Sequence, residues 1–275
     1  MNALKDGWFS ELSDPSGDGG PAASWSGQAF SLEVKEILFH EKSAFQDVLV
    51  FKRRVETSEL QVTFVSFSKA NGVVLVLDGP TFRCFAHPNP QNVLVIGGGD
   101  GGVVREALKH PTVRRIVLCE IDELVVKVAK RFLPEVSVGL EDERVEVVIA
   151  DALEYLKEHS NQFDVIITDL SDPSRPLRPN GIVAAQGECP WIDLPFISQL
   201  FKTCTSLFPQ VRYATSSVPT YTSGLMGFLL CSLNADSDVR VPNRKDEKLL
   251  HSMDLKFYNF ELHKAAFELS NQQSQ

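Results

Sequence analysis

The segment VLVIGGGDGG at residues 93–102 constrains the fold of this chain more than any other feature. A short apolar strand enters a glycine-rich turn, and VVREALKH follows with the spacing of a helix. Gly97, Gly99 and Gly102 satisfy G-x-G-x-x-G, in which glycines allow a tight turn and let the backbone approach a nucleotide closely. The segment therefore predicts a nucleotide-binding strand–loop–helix unit, with a glycine-rich turn that binds no ligand as the alternative.

Strand and helix patterns alternate after this unit. Buried strands are indicated by RRIVLCE, RVEVVIA, FDVIITD and GIVAAQ, and helices by ELVVKVAKRFL and LEYLKEH. WIDLPFISQLFKTCTSLF predicts a further helix, and VRYATSSV and GFLLCSL predict closing strands. Alternation of this kind is typical of an α/β fold, a Rossmann-like parallel sheet with helices on both faces.

Composition divides the chain into three parts. Residues 1–27 are rich in Gly, Ser, Asp and Pro, which predicts a flexible tail. Residues 28–90 contain SLEVKEILFHEK, QDVLVFKRR and NGVVLVLDG, and these predict a small N-terminal β-strand unit. Residues 91–275 form the Rossmann-like nucleoside-binding catalytic domain in this interpretation.

Acidic residues stand at or just beyond the carboxyl ends of the first four strands of the predicted parallel sheet. They are Asp100, Glu120 with Asp122, Asp151, and Asp169 with Asp172. Ligands of open α/β sheets bind outside these strand ends. The row therefore predicts a carboxylate-lined pocket for a ligand with ribose hydroxyls, an exocyclic amine and a positive charge. Each acid taken alone is equally explained as a helix N-cap.

The spacing from the glycine loop to Glu120 also fits an NAD-dependent dehydrogenase, in which an acid at this place binds the ribose. Asp100 argues against that interpretation. It lies inside the glycine loop, where its charge would repel a pyrophosphate and attract a cation. An NAD enzyme is therefore only a distant alternative.

Charge and cysteine content narrow the class of protein. The net charge of −9 argues against nucleic acid or an anionic membrane as the main partner. The five cysteines include no C-x-x-C pair, which disfavours a disulfide framework and a metal site and favours a cytoplasmic location. The first twenty residues lack the cationic start and apolar stretch of a secretory signal, and no apolar run is long enough to span a bilayer.

Several long motifs resemble one known family. HPNPQNVLVIGGGDGGVVREALKHP, VLCEIDE, FDVIITDLSDP, QGECPW, PTYTSG and FYNFELHKAAFELS are similar in order and spacing to the spermidine synthase core of the polyamine aminopropyltransferases, eukaryotic type. FQDVLVF and VLVLDG match in the N-terminal part. The resemblance implies a Rossmann-like sheet of the methyltransferase type. It also implies transfer of an aminopropyl group from decarboxylated S-adenosylmethionine to putrescine, giving spermidine and methylthioadenosine.

For the donor, the resemblance implies roles for the glycine loop and three acids. Glu120 would accept hydrogen bonds from the ribose hydroxyls, and Asp151 one from the adenine amine. Asp100 would pair with the ammonium of the aminopropyl arm, and would repel the carboxylate of intact S-adenosylmethionine. Gln46 would be a polar positioner on the donor side.

For the acceptor, the resemblance implies that Asp169 is the general base. The attacking amine of putrescine is protonated in water and must lose a proton before it becomes a nucleophile. Asp172 and Tyr221 would hold the diamine, and Gln186 would line the same pocket. Without the resemblance, Asp169 and Asp172 in TDLSDP are read as turn formers.

Further expectations follow from the resemblance. Decarboxylated S-adenosylmethionine acts as a co-substrate, with no tightly bound cofactor and no metal. The N-terminal β-unit builds a homodimer. Two alternatives remain, a putrescine N-methyltransferase and a catalytically impaired relative or splice form that serves as a binding or regulatory subunit.

The chain departs from the family pattern in three places. RRVETSELQVTFVSFSKA is additional sequence between VLVFK and NGVVLVLDG, and LDGPTFRCFAHPNP lacks a strand and an acidic segment expected there. Only SDPSRPLRPN, with three prolines, separates FDVIITDL from GIVAAQ. A β–α–β crossover needs a dozen or more residues. We therefore expect either that the fifth strand is not parallel to the fourth, or that a helix-sized groove is left open on the sheet.

Overall fold

The computed structural model describes residues 3–12, 29–54, 60–68, 84, 86–168, 176–218, 223–243, 247–253, 255 and 258–268. The strands are β1 (Ala3–Lys5), β2 (Trp8–Leu12), β3 (Ala29–Glu33), β4 (Glu36–Lys42), β5 (Gln46–Arg54), β6 (Leu60–Ser68), β7 (Asn92–Ile96), β8 (Arg115–Glu120), β9 (Val145–Ile149), β10 (Phe163–Thr168), β11 (Leu177–Gln186), β12 (Gln210–Ser217) and β13 (Leu225–Ser232). The α-helices are α1 (Gly102–Leu108), α2 (Glu123–Phe132), α3 (Pro134–Ser137), α4 (Ala152–Glu158), α5 (Leu194–Leu207), α6 (Glu247–Ser252) and α7 (Phe260–Ala265). None of the helices within these ranges combines the length and apolar character that a membrane crossing requires.

The chain divides into two compact units. The first contains residues 1–74 and 122–135, and the second contains residues 75–121 and 136–275. The first unit is therefore discontinuous in sequence. The amino-acid sequence instead predicted the main boundary at residue 90 and placed residues 122–135 in the catalytic domain.

The first unit begins earlier than predicted. Strands β1 and β2 lie inside residues 1–27, so the flexible tail expected there is wrong for residues 3–12. Asp6 and Gly7 have φ values of 53° and 81°, and they join Lys5 to Trp8 in a two-residue turn. Asp-Gly is a preferred sequence for such hairpin turns. Residues 13–28 lie outside the described part.

The described part of the first unit consists of two antiparallel sheets and helix α2. The sheets have the orders β1-β2-β3 and β4-β5-β6. The additional sequence after β5 supplies β6, which pairs with β5 from Gln46↔Ser68 to Arg54↔Leu60. Helix α2 packs against β5 of this unit, because Val125 and Val128 of the helix share one apolar cluster with Val48 and Val50 of the strand.

The second unit contains a seven-stranded sheet in the order β12-β13-β11-β10-β7-β8-β9. Strands β11, β10, β7, β8 and β9 are parallel, and β13 runs antiparallel between β11 and β12. The last strand in sequence thus lies inside the sheet, as in Rossmann-like sheets of the methyltransferase type. The predicted α/β fold class is confirmed.

The short connection between β10 and β11 does not prevent parallel pairing. Phe163 pairs with Leu177 and Thr168 with Ala185, in the same strand direction. The first expected outcome, a strand that is not parallel, is therefore wrong.

The expected open groove is also not found at the described parts of these two strands. All six residues of β10 are buried, and so are residues 181–185 of β11. Helix α5 explains the burial, because Ile197 and Cys204 on this helix share one apolar cluster with Ile166 and Val183. Residues 169–175 of the connection lie outside the described part.

Candidate active site

The glycine-rich loop links β7 to α1 and is held to the neighbouring strand. The amide of Gly97 donates to the carbonyl of Cys119 at 2.9 Å, and that of Gly101 donates to Gly98 at 3.0 Å. Gly97 has a φ of +74°, which glycine adopts without strain. Gly101 has a φ of +84°, and a Cβ there would lie 2.8 Å from Leu140 Cγ. The loop therefore depends on glycine for both conformation and space.

Glu120 is the last residue of β8 and lies beside this loop. The amide of Gly99 donates to Glu120 Oε2 at 3.1 Å, and the residue is 7% exposed. An ionised carboxylate offers two oxygens with about four acceptor sites, so it has capacity for hydroxyl donors in addition to this amide. The structure thus brings together Gly99 and Glu120, which the sequence assigned to one donor site.

Asp100 follows in the same loop. The amide of Gly102, the first residue of α1, donates to Asp100 Oδ1 at 2.8 Å. Burial raises the pKa of Asp100 to about 6, and Glu120 adds to this rise, while the Gly102 hydrogen bond and Arg105 oppose it. A cation bound next to Asp100 would favour the ionised form, so the carboxylate is suited to a positively charged group.

Asp151 comes directly after β9 and caps α4. Its Oδ1 accepts from the amides of Leu153 at 2.7 Å and Glu154 at 3.3 Å, and its side chain is exposed. The capping role that any acid in this place can have is therefore realised here. Its contact with an adenine amine stays a prediction.

Gln46 and Asp122 meet within the first unit. Gln46 Nε2 donates to Asp122 Oδ2 at 2.8 Å, and Ser43 Oγ donates to the same oxygen at 2.6 Å. The other oxygen, Oδ1, accepts from the amide of Leu124 and caps α2. Of the two acids predicted after β8, Asp122 thus has a clear role in the local structure. The role of Gln46 in binding a donor stays a prediction.

Gln186 is the last residue of β11 and is half-buried. It pairs with Phe228 of β13. The turn that follows is held by Tyr213 of β12, which donates from its phenol to the carbonyl oxygens of Gly187 and Glu188. Sequence reasoning missed Tyr213, because in VRYATSSV it looks like an ordinary strand residue.

Three predicted site residues, Asp169, Asp172 and Tyr221, lie outside the described residues. Asp169 directly follows Thr168, the buried last residue of β10. Their roles stay predictions.

The strand order brings the acidic positions to one edge of the sheet. Strands β10, β7, β8 and β9 are consecutive neighbours and parallel. Their carboxyl ends therefore share one edge, at which Asp100 follows β7, Glu120 ends β8 and Asp151 follows β9. This edge is where ligands of open α/β sheets bind, and its carboxylates suit a nucleoside that carries positive charge. Within the described residues, no group of three His, Cys, Asp or Glu side chains could hold a metal ion.

Comparison with known families agrees with this arrangement. Residues 81–241 match the model of the spermine/spermidine synthase domain, and residues 7–54 match that of the spermidine synthase tetramerisation domain.

Individual relatives extend over almost the whole chain. The chain is 40% identical to a spermidine synthase of Schizosaccharomyces pombe, over 97% of this chain and 92% of that protein. It is also 40% identical to a spermidine synthase of Dictyostelium discoideum, over 98% of this chain and 96% of that protein. A spermine synthase of Arabidopsis thaliana is 40% identical over 98% of this chain and 83% of its own length.

Solved structures give the same result. The chain superposes on a spermidine synthase from Thermotoga maritima with a TM-score of 0.80, at 27% identity and covering 99% of this chain and 94% of that one. A spermidine synthase in complex with the transition state analogue AdoDATO matches equally well, with a TM-score of 0.80.

Proposed function

The chain belongs to the spermine/spermidine synthase family and is an aminopropyltransferase, and we propose that the residues at the carboxyl edge of its sheet carry out transfer from decarboxylated S-adenosylmethionine to putrescine. The products are spermidine and methylthioadenosine. One observation carries the assignment of the donor site. A half-buried carboxylate, Asp100, lies inside the nucleotide-binding glycine loop, and the amide of Gly99 in the same loop is hydrogen-bonded to Glu120.

The donor side of the proposal uses the described residues. Glu120 accepts hydrogen bonds from the ribose hydroxyls, and Asp151 accepts one from the adenine amine. Asp100 pairs with the ammonium of the aminopropyl arm and repels the carboxylate of intact S-adenosylmethionine. Gln46 is a polar positioner on this side.

The acceptor side depends on residues whose roles come from the resemblance. Asp169 takes a proton from the attacking amine, and Asp172, Tyr221 and Gln186 hold putrescine. The free amine attacks the methylene carbon next to the sulfonium, and the carbon–sulfur bond breaks with its electron pair moving to sulfur. Because the sulfonium is already a good leaving group, alignment of amine, carbon and sulfur contributes most of the catalysis.

The proposal also covers cofactor, assembly and location. The donor is a substrate, and all proton transfers are assigned to side chains, so the reaction needs no resident cofactor or metal. The tetramerisation-domain match at residues 7–54 supports an oligomer, and we place its contacts in the first unit, with a homodimer as the smallest assembly. The enzyme works in the cytoplasm.

Calorimetric titration and a turnover assay test the proposal together. The purified chain is titrated with decarboxylated S-adenosylmethionine, and separately with S-adenosylmethionine and NAD. Spermidine formation from putrescine is then measured. Selective binding of the decarboxylated donor with spermidine formation is the expected result.

Other outcomes have distinct meanings. Preferred binding of S-adenosylmethionine with methylation of putrescine would replace the proposal by an N-methyltransferase. Selective binding without turnover would identify a catalytically impaired relative. Binding of none of the three nucleotides would contradict the proposed site.

A further inference from the structure

A buried tyrosine holds the turn that follows Gln186. Tyr213 lies on β12 and is 8% exposed. Its phenolic oxygen lies 3.1 Å from the carbonyl oxygen of Gly187 and 2.9 Å from that of Glu188. One hydroxyl thus donates across two consecutive carbonyl groups. Burial raises the pKa of Tyr213, so the phenol stays protonated and remains a donor.

Two glycines make room for this phenol. A Cβ on Gly227 of β13 would overlap the phenolic oxygen of Tyr213. A Cβ on Gly187 would lie 3.1 Å from Tyr213 Cε2 and 2.7 Å from Leu229 Cδ1. The close approach of the phenol to the backbone therefore requires glycine at both positions.

The turn is also bonded to β13. The amide of Gly187 donates to the carbonyl of Gly227 at 2.8 Å, and the amide of Gly227 donates to the carbonyl of Glu188 at 2.8 Å. Glu188 has a φ of +50°, a conformation that residues with side chains seldom adopt. Its carbonyl accepts from both Tyr213 and Gly227, so its unusual backbone conformation is fixed from two sides. Backbone outliers of this kind are concentrated at functional sites.

We propose that Tyr213 is a positioning residue for the acceptor side of the active site. Its phenol fixes the peptide groups of Gly187 and Glu188, and through them the orientation of Gln186 at the carboxyl end of β11. This inference rests on the proposed function, because Gln186 is there assigned to the putrescine pocket. Tyr213 itself acts on backbone groups of the turn, so its effect on the acceptor is indirect.

The variant Tyr213→Phe tests this inference, because phenylalanine fills the same space and removes only the hydroxyl. Tyr258→Phe is the matched control. Tyr258 is also buried, and its phenol pairs with His263 Nδ1 at 2.9 Å. Both variants lose one buried hydrogen bond, and only the first loses it at the turn after Gln186. The KM for putrescine and the KM for the donor are measured for both.

For Tyr213→Phe we expect the putrescine KM to rise about tenfold, the effect of one lost hydrogen bond, with the donor KM unchanged. Hydrogen–deuterium exchange at the amides of Gly187 and Gly227 should also become faster. Tyr258→Phe should leave the putrescine KM and both exchange rates as in the wild type.

Failure of this inference and failure of the proposed function give different results. A wild-type chain that forms no spermidine overturns the proposed function. A wild type that turns over, with Tyr213→Phe keeping its putrescine KM or raising both KM values equally, overturns the positioning role. Unchanged exchange at Gly187 and Gly227 in Tyr213→Phe overturns it whatever the activity.

Discussion

The backbone amide of Gly99 donates a hydrogen bond to Glu120 Oε2 at 3.1 Å, in a buried position. This bond joins the glycine loop after β7 to the end of β8. Since the acceptor is a carboxylate, the same group can hold the loop and still accept hydroxyl donors from a ribose.

The variant Glu120→Gln separates these two roles. A glutamine oxygen can still accept from Gly99, but the side chain has one acceptor oxygen and no charge. We expect affinity for decarboxylated S-adenosylmethionine, measured by calorimetry, to fall roughly 10–100-fold. The control Glu123→Gln removes an exposed carboxylate that pairs with Lys127 on α2, and should leave affinity unchanged. Equal donor affinity in both variants would show that Glu120 does not bind the ribose.

Asp100 should make donor binding dependent on pH. Its folded pKa of about 6 means that the carboxylate is increasingly protonated below this value. We expect donor affinity to fall about tenfold per pH unit below pH 6, as the pairing with the ammonium is lost. Calorimetry at several pH values checks this. In Asp100→Asn the dependence should disappear, and a full pH response retained in that variant would assign it to another group.

The same residue should lower the stability of the ligand-free protein. The folded pKa of Asp100 lies above its ordinary value of 3.8, so the folded state binds more protons between pH 3.8 and 6 and loses stability as pH rises through this window. We expect Asp100→Asn to raise the free energy of unfolding at pH 7.5, by up to about 3 kcal/mol.

A matched aspartate gives the opposite expectation. Side-chain and backbone hydrogen bonds from Arg144 lower the pKa of Asp142 to about 2, so its ionised form is stabilised in the folded state. Asp142→Asn should therefore lower stability at pH 7.5. Urea unfolding measures both changes, and a loss of stability in Asp100→Asn would contradict the assigned burial of its charge.

His263 should make the protein sensitive to acid. Its Nε2 lies 3.0 Å from the carbonyl of Val239, which requires a proton there, and its Nδ1 accepts from Tyr258. Burial lowers the pKa of His263 to about 4, although the Val239 carbonyl opposes this. The unfolded state therefore binds more protons between pH 6.5 and 4, and stability falls as pH falls through this window, by up to about 3 kcal/mol.

Urea unfolding at pH 7.5 and 5.0 measures this loss. His263→Gln should have a smaller difference in the free energy of unfolding between pH 7.5 and 5.0 than the wild type, although the variant is less stable at both pH values. The control His251→Gln, at an exposed position on α6, should keep the wild-type difference. The prediction is wrong if His263→Gln retains that difference in full.

Two glycines of the loop allow strain and steric overlap to be separated. Gly97 and Gly101 both have positive φ, but a Cβ has open space at Gly97 and meets Leu140 and Ser137 at Gly101. We expect Gly97→Ala to cost about 1 kcal/mol of stability from backbone strain alone. Gly101→Ala should cost roughly 2–4 kcal/mol, since overlap adds to strain. Equal costs in urea unfolding would mean that Leu140 moves away freely.

Regular features of the second unit could be predicted from sequence. Its parallel strands and α1, α4 and α5 each have a periodic apolar pattern in the sequence, and the structure contains the strands and helices that these patterns predict. The acids at the strand ends could also be placed, because alternation of strand and helix predicts parallel strands, whose carboxyl ends lie at one edge of the sheet. Which of them caps a helix could not be predicted, because capping depends on the conformation of the next turn.

Features that depend on distant contacts were missed. The Asp6-Gly7 turn was hidden by the polar residues that follow it, although Asp-Gly is itself a hairpin signal. The parallel pairing of β10 and β11 was judged from the length of the connection, whereas burial under α5 stabilises it. Tyr213 contacts Gly187 and Gly227, and no spacing in the sequence connects these three residues.

The discontinuity of the first unit has a consequence for biosynthesis. Val48 and Val50 share their apolar cluster with Val125 and Val128, which the ribosome adds more than seventy residues later. The N-terminal strands emerge first but complete this core only after the loop of the donor site and β8 have been made. A nascent chain arrested at residue 121 would expose that valine surface, so the first unit should be bound by chaperones until α2 is synthesised.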